Sequence, residues 1–143
     1  MSNAKVTLNK AEVYALGAHH AEREAARDLV AVMDTLSENP VYEYPTLRKR
    51  FSGREKSQRF YEYFFENFSP NVVDGQLIRQ WANETSVAQE YDIVLSFNGV
   101  KETHRVLGVL FVEGDKLGGE IVYASEATVR RMLGPVFDEL ESY

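Results

Sequence analysis

An α+β fold is predicted by three features: a helical N-terminal third, one short strand set between helices, and a second half of alternating strands joined by turn dipeptides. The short strand is Val41-Tyr42-Glu43-Tyr44-Pro45. Side chains alternate along a strand, so Tyr42 and Tyr44 share one face while Val41 and Glu43 share the other. N-terminal helices packed on a curved, mostly antiparallel sheet would form a cone-shaped α+β barrel with a conical cavity. The two tyrosines are expected to line it.

The elements follow in order. Lys10 to Arg27 reads as a helix without proline, with Val13, Leu16, Gly17 and His20 on one face and His19 turned away. Asp28 is a plausible N-cap for a short second helix carrying Leu29, Val32, Met33 and Leu36. Ser37-Glu38-Asn39-Pro40 breaks that pattern before the strand begins. Leu47-Arg48-Lys49-Arg50-Phe51 reads as a basic loop, with phosphate binding the sharper alternative to simple solvation. Ser52-Gly53-Arg54-Glu55 has the form of a capping box, starting a helix that runs to about Phe68. Phe60, Phe64 and Phe68 recur on that helix at four-residue spacing, a core stripe wide enough to floor an apolar pocket.

Strands are expected over Gln76 to Asn83, Val87 to Phe97, Lys101 to Glu113 and Lys116 to Ala124. Asn98-Gly99 and Gly114-Asp115 mark the last two turns. Ser125 caps a final helix that Gly134-Pro135 ends or kinks. The Lys101 strand is apolar on both faces, through Val106, Leu110 and Val112 on one and Leu107, Val109 and Phe111 on the other. Helices can cover one face, and a partner subunit is expected on the other.

Composition limits the function. The chain has 143 residues, 44% of them hydrophobic, which suits one globular domain over residues 1–143. A formal charge of −6 argues against a general nucleic-acid binder. There is no cysteine, so disulfides and thiolate metal sites are excluded, and a cytoplasmic setting is expected. No apolar run reaches membrane-spanning length, and the N-terminus lacks the apolar core of a signal peptide. Ser2-Asn3-Ala4 has the form of an expression-tag remnant and carries no structural weight. There is no Gly-rich phosphate loop, His-x-x-x-His pair or Gly-x-Ser-x-Gly elbow, so no cofactor and no metal is expected.

Asp28-Leu29, the Val41 to Pro45 strand, Ser52-Gly53 and Phe60-Tyr61 together resemble the nuclear transport factor 2-like superfamily. Within it, the spacing from His20 to Tyr61 is similar to the SnoaL-like polyketide cyclases and ketosteroid isomerases, and the later strands match more loosely through Ala82-Asn83-Glu84 and the turn before Leu117. The resemblance implies a single domain of this type around a small-molecule pocket. It also implies where isomerase chemistry would sit, and there the chain departs. Ketosteroid isomerases keep a base Asp just before the proline of this strand, where this chain has Tyr44. They keep an oxyanion-hole Tyr on the first helix, where it has His20, and a protonated Asp on the third meander strand, at a position near Gly108. The supporting tyrosine is retained as Tyr61, and Glu43 points away from the pocket face.

His20, Tyr44 and Tyr61 are therefore the candidate catalytic trio. The imidazole would exchange a proton near neutrality and the hydroxyls would donate to a carbonyl oxygen. Glu24, one turn after His20, could orient or charge it. Tyr42, Phe64, Trp81, Tyr91 and Gly108 are the candidate ligand contacts. Trp81, Tyr91 and His104 could instead face an interface, and Glu120 is placed to pair with Arg105 across the sheet. Two classes of function stay open. One is a cofactor-independent isomerase, cyclase or hydrolase acting on a small apolar carbonyl or polycyclic compound. The other is a non-catalytic ligand-binding or dimerising module. The expected partners are a small apolar molecule and a second copy of the chain, bound through the outer sheet face.

Overall fold

The computed structural model describes residues 7–143, so Ser2-Asn3-Ala4 lies outside the described residues. The first element of the described residues is α1 (Lys10–Ala25), capped by Asn9 rather than by a serine or threonine. The Asn9 side chain accepts from the Glu12 amide at 2.9 Å, and the Glu12 carboxylate accepts from the Asn9 amide at 3.2 Å. This reciprocal box satisfies two amides that a helix start leaves open, and caps of this kind contribute about 1 kcal/mol. Asp28 caps α2 (Leu29–Asp34), accepting from the Ala31 amide at 3.1 Å as its sequence position predicts.

The first strand, β1 (Leu36–Tyr44), starts earlier than the proline-flanked stretch suggests, because Leu36 and Ser37 already pack inward. The basic segment is not a loop. Lys49–Ser52 forms β2, a hairpin partner of β1 with Tyr42 opposite Phe51. The Tyr42 and Phe51 rings stack with centroids 4.8 Å apart, so the apolar Phe51 converts a charged run into a strand. The capping box expected at Ser52 also does not form. The N-cap of α3 (Arg54–Tyr63) is Gly53, at φ 101, with no side-chain cap. Arg54 instead donates to the Met33, Leu36 and Ser37 carbonyls at 3.0, 3.2 and 2.9 Å, tying α3 to the end of α2 and the start of β1. The aromatic helix then widens into a π-helical turn, Phe64–Phe68, and a short 3₁₀ turn, Ser69–Asn71.

The meander follows as β3 (Val72–Ala82), β4 (Ser86–Phe97), β5 (Val100–Glu113) and β6 (Lys116–Tyr123). Asn98 and Gly99 both have positive φ, 51° and 80°, the geometry that makes Asn-Gly a tight hairpin turn. Ser125 caps α4 (Glu126–Leu133), a 3₁₀ turn occupies Gly134–Glu139, and β7 (Glu141–Ser142) pairs with β2. The sheet runs β3-β4-β5-β6-β1-β2-β7. All neighbours are antiparallel except β1 and β6, which are parallel with Tyr42 beside Glu120. No helix among the described residues is long and apolar enough to cross a membrane.

The α1 helix lies against the concave face of this sheet. A Cβ at Gly17 would come within 2.5 Å of Val87 Cγ1, so the helix can approach β4 this closely only because the residue has no side chain. The approach buries Val13 and His20.

Candidate functional site

Between α1, α3 and the sheet lies a cavity of about 420 Å³. Alternation fixes which strand residues reach it. Tyr42 and Tyr44 enter from β1, Gln89, Tyr91 and Ile93 from β4, Leu110 from β5, and Glu120 and Val122 from β6. Phe60, Tyr61, Phe64 and Phe68 come from the aromatic helix and its π turn. His20, Glu24 and Arg27 come from α1 and the residues just after it. The π turn keeps Phe64 stacked on Phe68, with centroids 4.5 Å apart, so the rings form a wall and leave the space between helix and sheet open.

A hydrogen-bonded chain runs along one side. The Tyr42 and Tyr61 hydroxyls are 2.9 Å apart, and the Tyr61 hydroxyl is 3.2 Å from His20 Nε2. His20 Nδ1 lies 2.7 Å from the Thr35 hydroxyl, which donates to the Val32 carbonyl at 2.6 Å. A Glu24 carboxylate oxygen stands 3.3 Å from His20 Nε2. His20 is 2 % exposed, so its ring is held by these groups and not by solvent. The helical phase of α1 places it there, while His19 is exposed.

Tyr44 and Tyr91 line the same cavity, and among the described residues neither hydroxyl has a hydrogen-bond partner. Every fully buried side-chain polar atom of the described residues is satisfied, so these hydroxyls reach cavity space. Burial pushes all four tyrosines, Tyr42, Tyr44, Tyr61 and Tyr91, well above the ordinary phenol range. Each keeps its hydrogen and can donate it.

One residue whose place in the site sequence reasoning missed is Glu120. It does not pair with Arg105, which instead forks onto Asp92 and Glu90 at 2.5 and 2.7 Å on the other side of the sheet. Glu120 points into the cavity and has no ion-pair or hydrogen-bond partner among the described residues. Glu120 is partly exposed and lines the cavity. Burial, reinforced by the negative charge of Glu24, pushes its carboxyl up to about 8. Glu120 is therefore largely a neutral carboxylic acid at pH 7. Gly108 makes room for it, because a Cβ there would fall 2.3 Å from Glu120 Oε1. The only signal in the sequence was a lone acid beside the apolar Ile121-Val122; its orientation depends on the parallel β1–β6 register, which no local pattern reveals.

The other candidate positions divide. Tyr42, Phe64 and Tyr91 line the cavity. Gly108 contributes space for Glu120 rather than a contact of its own. Trp81 is 53 % exposed and does not line the cavity, because it sits near the end of the edge strand β3 opposite Ala88. His104 is held by Thr128 at 2.7 Å and Glu102 at 3.1 Å, away from the cavity. Among the described residues no group of three His, Asp or Glu side chains converges to hold a metal ion.

No protein-family model matches the chain, and no curated protein matches it in sequence. Solved structures do match in fold. A nuclear transport factor 2-like protein from Anabaena variabilis is 23% identical, with a TM-score of 0.67 over 80% of this chain and 90% of its own. A Kribbella flavida protein provisionally named a ketosteroid isomerase is 20% identical, with a TM-score of 0.63 over 82% and 80%. An epoxide hydrolase of M. tuberculosis, described as LEH-like, is 18% identical, with a TM-score of 0.63 over 86% and 87%. The fold is thus that of the nuclear transport factor 2-like proteins, an α+β cone.

Proposed function

We propose that this nuclear transport factor 2-like chain, a single domain over residues 1–143, binds a small, largely apolar carbonyl compound and moves a proton on it without a cofactor. The observation that carries this reading is the set of neutral donors facing open cavity space: the Glu120 carboxyl and the Tyr44 and Tyr91 hydroxyls. Donors without a protein acceptor, in an apolar enclosure, suit a ligand that brings an acceptor oxygen, and they strengthen their hold as negative charge develops on it. The fold relatives named for isomerase and hydrolase activity make the same class of chemistry reasonable but do not specify it.

The roles follow from the geometry. Glu120 and Tyr44 donate to the carbonyl oxygen. Tyr61 accepts the proton that leaves the α-carbon while its own hydrogen passes to His20 Nε2, 3.2 Å away. The electron pair of the C–H bond becomes the enolate, and His20 returns a proton through Tyr61: to the far carbon of a conjugated enolate in an isomerisation, or to the alkoxide oxygen left when the enolate carbon attacks a second carbonyl in a ring closure. The Tyr42 hydroxyl, 2.9 Å from that of Tyr61, holds it in line. Phe64 and Phe68 present ring faces to the apolar body of the ligand. A binding module without catalysis would use the same donors and leave the proton in place.

The test is exchange of the C1 hydrogens of 2-tetralone, an enolisable bicyclic ketone, in D₂O, followed by NMR. The protein is expected to accelerate exchange, and Tyr44→Phe and Glu120→Ala to reduce it by roughly 10- to 1,000-fold. Binding without accelerated exchange would leave the module and remove the enzyme.

The assembly belongs to the same proposal. Leu107, Val109 and Phe111 are only partly buried on the convex face of β5, beside the exposed Tyr123 of β6. A second copy of the chain is the proposed cover, with the site facing away from it. A cysteine-free chain suits the cytoplasm.

A further inference from the structure

We infer that Thr35 is a positioning residue that fixes the tautomer of His20, committing Nδ1 to carry a hydrogen and leaving Nε2 as the nitrogen that gains and loses a proton at the cavity. The inference rests on the proposed reading only for its catalytic consequence; the tautomer itself stands on geometry. A threonine hydroxyl has one hydrogen and two lone pairs. Thr35 sits at the C-terminal end of α2, 4 % exposed, with its Oγ1 2.6 Å from the Val32 carbonyl oxygen. A carbonyl oxygen can only accept, so the single hydroxyl hydrogen lies in that contact. The Thr35 oxygen then has only lone pairs left for His20 Nδ1 at 2.7 Å, and the hydrogen between them belongs to the ring.

The consequence runs to the opposite nitrogen. A neutral ring with hydrogen on Nδ1 has its lone pair on Nε2, where the Tyr61 hydroxyl stands at 3.2 Å and the Glu24 carboxylate at 3.3 Å. In that neutral ring Tyr61 donates to Nε2 and Tyr42 donates to Tyr61, and when Nε2 gains a proton the Glu24 carboxylate is the acceptor that faces it. One buried hydroxyl on α2 sets the direction of every hydrogen in the chain up to Tyr42. Thr35 is the one hydrogen-bond partner of Nδ1 among the described residues, so without it the Nδ1 hydrogen has no acceptor there. The ring would favour hydrogen on Nε2, where the Glu24 carboxylate and the Tyr61 oxygen both stand as acceptors, and the chain would reverse.

The experiment uses the full chain labelled with ¹⁵N-histidine. In the wild-type protein, raising the pH until the His20 ring is neutral is expected to remove the Nε2 proton and leave Nδ1 protonated, read from the two nitrogen shifts. Loss of the Nδ1 proton, or a ring still doubly protonated at pH 10, would overturn the inference. Thr35→Val is expected to move the neutral ring to the Nε2–H form, and Thr35→Ser to keep the Nδ1–H form. An unchanged tautomer in folded Thr35→Val would overturn it as well. On 2-tetralone, Thr35→Val is expected to lose roughly 10- to 100-fold of the exchange rate and Thr35→Ser to retain most of it. A Val variant with the flipped tautomer and full exchange would remove the catalytic consequence. If the wild-type protein accelerates no exchange, the proposed reaction fails while the nitrogen shifts still decide the tautomer.

Discussion

Burial in the cavity raises the proton affinity of Glu120, and its protonation has a calculable effect on stability. Its carboxyl titrates near 8 in the folded chain against 4.5 for the free group. Between those values the folded state holds a proton that the unfolded state has released, so stability falls as pH rises through that window and levels off above about 8. Glu120→Gln has no such dependence. A tenfold change in proton affinity corresponds to about 1.4 kcal/mol, and water in the cavity screens part of the effect. The variant is expected to match the wild type near pH 4 and to exceed it by on the order of 3 kcal/mol at pH 8, measured by urea unfolding at several pH values. A constant difference across pH would show that Glu120 is ordinarily ionised. The sign carries into activity: exchange of 2-tetralone is expected to fall above pH 8 in the wild type and not in Glu120→Gln, which keeps a donor. Tyr44 behaves differently because its hydroxyl meets no protein partner among the described residues. Tyr44→Phe is expected to change stability by less than about 0.5 kcal/mol while weakening the ligand, so melting and binding measurements should separate.

At the scale of elements, the site depends on two close approaches. Gly17 lets α1 settle on β4, and Gly108 on β5 lets the carboxyl of the neighbouring strand lie over it. Gly108→Ala is expected to push the Glu120 carboxyl aside and cost about 1–2 kcal/mol, with Glu120→Ala in the same chain recovering about 1 kcal/mol through the coupling between the two sites. A fully additive double mutant would show that the two positions do not compete for space. These elements also divide what the sequence could reveal. Helical phase gave the inward face of α1, and period-two alternation gave Tyr42 and Tyr44 and the meander strands, because these patterns are local. Asn98-Gly99 marked its turn because it supplies positive φ directly. The basic segment from Leu47 to Phe51 misled, because its charges hid the one Phe51 ring that stacks on Tyr42. Ser52 misled because Gly53 took the cap position. Glu120 and Thr35 were illegible because each acts through a contact between distant segments: the parallel β1–β6 pairing and the packing of α2 on α1.

On the scale of the whole molecule, the sheet separates two chemistries. Its concave face holds the cavity, and its convex face carries the Leu107, Val109 and Phe111 strip beside the Arg105 ion-pair network with Asp92 and Glu90. An apolar strip flanked by fixed charges suits a second copy that buries the former and leaves the latter at the rim. Light scattering at tens of micromolar is expected to give twice the chain mass of 16.3 kDa, and Val109→Asp to give the single mass. A wild-type monomer would leave that face without its proposed cover. The cavity can be tested independently of assembly, because its donors all come from one chain. The most direct measurement is the infrared carbonyl stretch of ¹³C=O-labelled 2-tetralone bound to the protein at pH 7. The account expects a band at lower frequency than in water, returning toward the water value in both Glu120→Ala and Tyr44→Phe. A bound ketone whose stretch matches that in an apolar solvent, and which neither substitution moves, would contradict the claim that these donors hold a carbonyl oxygen.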